Sequence, residues 1–450
     1  MENLIAARLQ MAISLGFHMV FAALGIGMPL LMLVAEGLGL RTKKAVYLDL
    51  AHKWAKATGI LFAIGAVSGT ALSFELGLLW PPFMKLAGPL IGPAFALEGY
   101  AFFIEAIFLG LYLYGWKRLK PTAHWLCGIP VAVSGAMSGV LVMSANSWMQ
   151  DPTGFDLVNG QATNIDPVKA LINPSWAVLA VHLTLASYMA TAFMVAGVYA
   201  WGLLKGRRDT YHKVGLALAM ILGTITAVAQ PISGDAAARL VAQTQPVKLA
   251  AMESQFKTEK GAPLRIGGIP DINNETVPFS LEIPYGLSFL ATHDPNAEIQ
   301  GLDAVPRTDW PVVGLVHISF QVMVGSGLAI LLFALIYWFV RWRKREHGKW
   351  ILRALVLSGV LGVAALEAGW IVTEVGRQPW IIYNVMRTAD AVTPAPGVWY
   401  TFAGFIGLYI VLAVTLVWLL LRLATGRPVD DEDQKTSASG GKEVGGVAVA

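Results

Sequence analysis

The chain has 450 residues, is 56% hydrophobic and carries charge on only 14% of them. A soluble globular domain carries about 25% charged residues, so the composition excludes a soluble protein and predicts an all-α integral membrane protein. The net charge of +4 comes from short basic clusters between apolar runs, a topogenic pattern that excludes a nucleic-acid surface; the single cysteine, Cys127, excludes an intrachain disulfide and any Cys-based zinc or iron–sulfur site.

Apolar runs of about 20 residues cross the ~30 Å hydrocarbon core as helices. Nine such spans are predicted, over 10–36, 54–78, 94–116, 124–146, 175–204, 214–233, 311–340, 352–375 and 399–423. The alternate loops 41–56, 117–120, 205–213 and 341–353 hold 18 of the 33 lysines and arginines. By the positive-inside rule these loops face the cytoplasm, so the N-terminus is expected outside and the C-terminus inside. The first apolar stretch lacks a basic n-region and carries His18, so no cleavable signal peptide is expected. The loops 79–93, 147–174, 234–310 and 376–398 are rich in Pro, Gly, Asn and Asp, which mark turns, and are expected outside.

The 77-residue loop 234–310 is far longer than a structureless connection, and its amphipathic stretch at about 236–257 predicts local order. These features divide the chain into spans 1–233, an outer loop 234–310, spans 311–425 and a tail 426–450. The tail is acidic, then Gly/Ser-rich, and is expected to be a disordered cytoplasmic end. No internal repeat of the kind that marks many transporters is evident.

Four metal-capable side chains sit in these lipid-compatible segments: His18, His182, Met323 and Glu374. A bilayer penalises polar groups, so each needs a reason to be there. Histidine and methionine are common axial ligands of haem iron. His18 lies eight residues into its span, roughly 12 Å deep. The blander readings are a histidine bonded to a neighbouring helix, a methionine that merely packs, and a Glu374 paired with Arg377. Gly325 and Gly327 near Met323 would let a flat macrocycle, or simply another helix, approach closely. Glu367 lies one heptad before Glu374 on roughly the same face. Glu98 and Glu105, also seven apart, share one face of the third span, and paired intramembrane carboxylates often mark proton paths. Ser138, Ser144 and Asn146 extend such a chain or serve as helix–helix bonds. His52, His124, His212 and His347 border basic loops and read as interfacial; His293 belongs to the outer loop. His317 lies on the opposite side of its helix from Met323 and is not expected to share a site with it.

The segments FALEGYAFFIEAIFLGLYLYGW (95–116), SANSWMQDPTGF (144–155), QPVKLAAMES (245–254) and GWIVTEVGRQPW (369–380), in this order along the spans and the long loop, closely resemble subunit I of the cytochrome bd quinol oxidases. The resemblance runs to about residue 425. It implies a low-spin haem b held by His182 and Met323. It further implies a haem pair, one high-spin haem b and one haem d or third haem b, with His18 and Glu374 as ligands and Trp370 beside it. The same likeness points to Lys248 and Glu253 as quinol-binding residues. It places Glu98, Glu105, Ser138, Asn146, Glu367 and Arg377 near the haem pair and its proton route. The outer loop lacks the long insertion of some members, so the chain is similar to the short-loop type, which includes the cyanide-insensitive oxidases. Gln321 and Val322 stand where long-loop members carry an arginine.

The implied activity is quinol oxidation at the outer face coupled to reduction of oxygen to water with cytoplasmic protons, which generates proton motive force without pumping. The implied partners are a second membrane subunit and a very small single-span one, besides quinol, oxygen and lipid, in a bacterial cytoplasmic (inner) membrane. Two other readings remain at this stage. A proton-coupled transporter would use the carboxylates and histidines directly, with no chromophore. A haem-b electron-transfer subunit would fill only the His182/Met323 site.

Overall fold

The computed structural model describes residues 2–425, so the expected tail lies outside the described residues. Among the described residues, nine helices are long and apolar enough to cross a membrane. They are α1 (Glu2–Thr42), α2 (Ala45–Leu79), α3 (Pro81–Gly115), α4 (Pro121–Gln150), α6 (Trp176–Leu204), α7 (Thr210–Thr244), α10 (Val313–Trp342), α11 (Lys349–Val375) and α13 (Val398–Thr425). Each predicted span has its helix, because a chain in hydrocarbon must satisfy its backbone polar groups within itself. Four shorter helices lie between them: α5 (Pro167–Leu171), α8 (Pro246–Glu253), α9 (Gly286–Thr292) and α12 (Thr388–Ala391).

Three expected loop boundaries are corrected. The segment 79–93 is not an outer loop: α3 starts at Pro81, and Trp80 alone forms the corner. Proline suits the first helical turn and disfavours helix in the residue before it. Phe83, Leu86, Ala87, Leu90, Ile91 and Ala94 then recur at helical spacing and are buried. The loop 41–56 shrinks to Lys43 and Lys44, with Lys43 in the left-handed region at φ 56°, and Lys53 and Lys56 lie on α2. Beyond residue 233, α7 runs on to Thr244, carrying an Arg239–Asp235 pair one turn apart (2.5 Å).

Helix α1 is central and packs on α2, α4, α6 and α13; α6 packs on α7 and α11, and α10 on α11. The α1–α6 crossing is close. A Cβ on Gly27 would fall 2.4 Å from Thr191, whose hydroxyl donates to the Ala23 carbonyl at 2.9 Å. Small residues of this kind let helices approach where lipid offers no hydrophobic drive. The interior around this crossing contains Phe21, Met32, Phe193, Met220 and Leu355.

The long loop is ordered by two antiparallel pairs, β1 (Glu259–Lys260) with β4 (Glu298–Ile299) and β2 (Leu264–Gly267) with β3 (Ser280–Ile283), and by α8 and α9. Two residues one turn apart on α10 pin it to the bundle. His317 is fully buried, with Nδ1 2.8 Å from the Met252 carbonyl and Nε2 3.1 Å from that of Gly267. Gln321 accepts from Gly267 N and donates to Arg265 O, both at 3.0 Å. His317 is thus a loop anchor, on a different face from Met323.

Candidate functional site

A cavity of about 680 Å³ opens between α1, α2, α3, α4, α6 and α11 at the long-loop half of the bundle. His18, Glu374, Arg377 and Trp370 line it, and so do Glu98, Glu105, Ser138 and Asn146. Eight predicted site residues from four helices and one adjoining turn therefore share one space. His182, Met323, Glu367, Lys248 and Glu253 are not among its lining residues. Glu367 turns toward α1: a Cβ on Gly16 would lie 3.3 Å from its Oε2, and its buried Oε1 has no partner. The heptad that relates it to Glu374 sets a rough face, and that face spans both the cavity and the α1 contact.

The two candidate imidazoles share one support, a serine at Nδ1, and differ at the other nitrogen, where Gln230 Nε2 lies 3.3 Å from His182 Nε2. His18 Nδ1 lies 3.0 Å from Ser68 Oγ on α2, and that hydroxyl donates to the Gly65 carbonyl at 3.1 Å. His182 Nδ1 lies 3.0 Å from Ser233 Oγ on α7, and that hydroxyl donates to the Gln230 carbonyl at 3.0 Å. A serine hydroxyl has one proton. With that proton spent on a carbonyl, each serine can only accept from the histidine, which places the ring proton on Nδ1 and the lone pair on Nε2. This is the arrangement that metal-ligating histidines use, with the far nitrogen held by an outer partner. Gly69 makes room for the first ring, since a Cβ there would sit 2.9 Å from His18 Cε1. Met323 packs with its sulfur 3.1 Å from where a Cβ on Gly369 of α11 would be, while Gly325 and Gly327 border open space.

At Glu374 a chain of hydrogen bonds runs back to the long loop. Asn146 Nδ2 donates to Glu374 Oε1 and Arg377 Nη2 to Oε2, both at 2.6 Å. Gln150 Nε2 reaches Asn146 Oδ1 at 3.4 Å, and Gln150 Oε1 accepts from Lys248 Nζ at 2.5 Å and from Gln245 Nε2 at 3.0 Å. Arg377 is 2% exposed, and its Nε and Nη1 are buried without a partner. A guanidinium stays charged in proteins, and buried donors without a partner favour an anionic acceptor. A carboxylate side group such as a haem propionate fits these two donors, and the imidazole, thioether and carboxylate donors fit haem iron.

Lys248 and Glu253 are both buried on α8 but serve different neighbours. Lys248 reaches inward over Gly376, where a Cβ would come within 2.9 Å of its Cγ. Burial, with the Arg377 charge adding to it, lowers the lysine to about 7 against the opposing pull of Glu374. Burial raises Glu253 to about 8 against the pull of Arg265, and its Oε2 has no partner.

The α3–α4 seam carries the remaining carboxylates. Ser138 donates to Glu98 Oε1 at 2.9 Å, and a Cβ on Gly135 would lie 3.3 Å from Glu105 Oε1. One heptad beyond Glu105, the seam meets a cluster the sequence reading missed. Glu36 on α1 receives the Tyr112 hydroxyl at 2.5 Å and lies 2.7 Å from His124 Nδ1; His124 Nε2 lies 2.8 Å from the Tyr112 carbonyl. All three are at most 2% exposed, so the interfacial assignment of His124 is corrected. A second missed carboxylate, Glu75 on α2, accepts from Ser14 (2.6 Å) and Gln10 (3.1 Å) of α1. Gln10, Ser14 and His18 recur every four residues, a spacing that lines one helix face.

Residues 6–428 match the family described as cytochrome bd terminal oxidase subunit I. The chain is 37% identical over 445 residues to a Bacillus subtilis protein named "Putative cytochrome bd menaquinol oxidase subunit I", covering 98% of this chain and all of that one. It is 34% identical to the cytochrome bd ubiquinol oxidase subunit 1 of the same organism, covering 94% and 93%. Among solved structures it resembles that of the bd oxidase from Geobacillus thermodenitrificans, with a TM-score of 0.90 and 38% identity over 95% of this chain and 99% of that one.

Proposed function

The chain belongs to the cytochrome bd terminal oxidase subunit I family, and from that premise, a quinol oxidase subunit of membrane respiratory electron transport, we propose the finer assignments. The subunit carries a low-spin haem b on His182 and Met323 and a haem pair whose irons take His18 and Glu374, the pair being haem b with haem d or a third haem b. It is of the short-loop type. Quinol is oxidised beneath the loop of α8 and α9 at the outer face of a bacterial cytoplasmic membrane, with the N-terminus outside and the C-terminus inside. Oxygen is reduced to water with protons drawn from the basic-loop side, so charge separates without a pump. The partners are a second membrane subunit and a small single-span one. The relatives' names divide between menaquinol and ubiquinol, so the substrate is assigned as quinol.

The observation that carries this reading is the matched pair of serine-clamped histidines, which supports ligation through Nε2 at both positions. Bound haem supplies electron transfer at a saturated iron and oxygen chemistry at an open one. The protein does the rest. Arg377 holds an anionic side group with its two free donors. Glu253, raised to about 8, is poised near neutrality to take a proton from a quinol hydroxyl. Glu98, Ser138 and Glu105 line the cavity wall and hold protons between the basic end and the site. Lys248 joins α8 to Glu374 through Gln150 and Asn146.

A dithionite-reduced absorption spectrum of the purified complex, with and without carbon monoxide and with extracted-haem analysis, tests the proposal. Two b haems plus a far-red chlorin band that shifts with carbon monoxide are expected for a bd site. Carbon monoxide binding with haem b alone would give an all-b form. A single haem b blind to carbon monoxide would reduce the subunit to electron transfer, and no haem would leave the transporter reading.

A further inference from the structure

A second cavity, of about 440 Å³, lies at the basic-loop end, between the α6–α7 and α10–α11 turns. Its floor is apolar: Leu216, Leu352 and Tyr337 are buried, and Leu203 adjoins them. Its rim is cationic, with Arg208, Lys213, Arg341, Lys344 and Arg345 against one carboxylate, Glu346. Glu346 is spoken for by Arg208, at 3.5 Å in an exposed pair. Among the described residues, Lys213, Lys344 and Arg345 have no carboxylate partner. Exposed tryptophans mark the depth of this end. Trp201, Trp342 and Trp350 project outward, with Lys205 4.8 Å above Trp201 and Arg353 5.0 Å above Trp350. Tryptophan concentrates at the level of lipid headgroups.

We propose that this cavity is a binding site for the headgroup of an anionic phospholipid. The phosphodiester meets the rim cations, and the start of an acyl chain covers Leu203 and Leu216. A free phosphate shares the charge but has no use for the apolar floor. A basic pocket between spanning helices at a membrane face is the setting in which such headgroups are held. The site uses none of the residues placed at the larger cavity, so it stands apart from the oxidase reading.

The test is the melting temperature of the purified complex titrated with short-chain phosphatidylglycerol, phosphatidylcholine or inorganic phosphate, with native mass spectrometry of retained lipid. Phosphatidylglycerol is expected to raise the melting temperature and to be retained; the other two are not. Each removed charge weakens binding about five-fold, so Arg341→Gln with Arg345→Gln should shift the titration midpoint about 25-fold. Lys213→Gln alone should shift it about five-fold. Lys43→Gln with Lys44→Gln, at the same end but outside the cavity, should leave it unmoved. Equal response to phosphatidylcholine, an unshifted midpoint in the double variant, or full reproduction by phosphate would overturn the proposal. So would cross-linking of Lys344 to the chain's own acidic segment 430–433 in place of retained lipid.

Discussion

Lys248→Met should stabilise the protein at acid and neutral pH while impairing quinol oxidation. Burial lowers Lys248 from 10.5 to about 7. At about 1.4 kcal/mol per pK unit, the charged lysine costs the folded state about 5 kcal/mol below pH 7. The neutral amine still donates to Gln150, a bond worth about 1 kcal/mol. Methionine, unbranched and of similar reach, fills the same channel over Gly376 without the charge. The sign follows from linkage. Between about pH 7 and 10.5 the unfolded chain binds the proton that the folded one has shed, so the wild-type lysine's cost fades as pH rises through that window. The variant's advantage should therefore approach 4 kcal/mol near pH 6, shrink above pH 7 and vanish near pH 10. Glu253 has the opposite slope. Its folded pKa of about 8 lies above the usual 4.5, so its contribution is lost as pH rises from the one to the other. It is present in both proteins and cancels in the comparison. Melting curves of the two complexes at pH 6, 8 and 10, read by tryptophan fluorescence, give the difference directly. A variant that melts lower than wild type by the same amount at all three values would refute the argument, because the buried charge would then carry no cost.

Other consequences follow from the same geometry. Ser68→Ala and Ser233→Ala each remove the acceptor of a histidine Nδ1–H and should lower haem retention about 10- to 100-fold at that site alone, measured by haem content after detergent washing. Glu105→Ala should slow oxygen reduction while every haem stays bound; unchanged turnover would take Glu105 off the proton route. Tyr112→Phe deletes the hydroxyl that meets Glu36 at 2.5 Å. It should destabilise the α1–α3 contact by about 1–3 kcal/mol, visible as a lower melting temperature with an unaltered haem spectrum.

The spans were legible because hydrocarbon imposes one length and one polarity on every crossing helix. The prolines at 81, 82, 89 and 93 mark the segment 79–93 as a turn by composition, whereas the apolar periodicity from Phe83 to Ala94 is the stronger cue. Proline at a first turn does not oppose a helix, and tertiary burial carried the rest. The candidate ligands were legible because a histidine or carboxylate in a span demands explanation. Their supports were not. Ser68 and Ser233 stand 50 and 51 residues from the histidines they hold, and a serine in a membrane helix is ordinary. His124 was read by its neighbours Lys120 and Pro121, whereas its partner Glu36 lies 88 residues away on another helix. Glu36 and Glu75 have nothing in their local sequence to separate them from a solvated end.

The chain from Lys248 to Glu374 has a direction that chemistry alone sets. Below about pH 7 Lys248 is an ammonium that can only donate, and as an amine it still donates here, so Gln150 presents its oxygen to Lys248 and Gln245, and its amide nitrogen faces Asn146. Asn146 must in turn offer its oxygen to Gln150 and its nitrogen to Glu374. Every donor therefore points toward the carboxylate, and with Arg377 on its other oxygen both oxygens of Glu374 are held in place by donors. Reversing one amide would set two donors or two acceptors face to face, so the orientation is kept as a unit. The long loop thereby bears on the Glu374 carboxylate without touching it. Gln150→Leu, which removes both amide functions, should loosen Asn146 and with it the hold on Glu374 Oε1, while leaving α8 in place on its apolar contacts. The expected readout is lower haem content after detergent washing than in the wild type. Unchanged haem content in that variant would mean that Arg377 alone fixes the carboxylate.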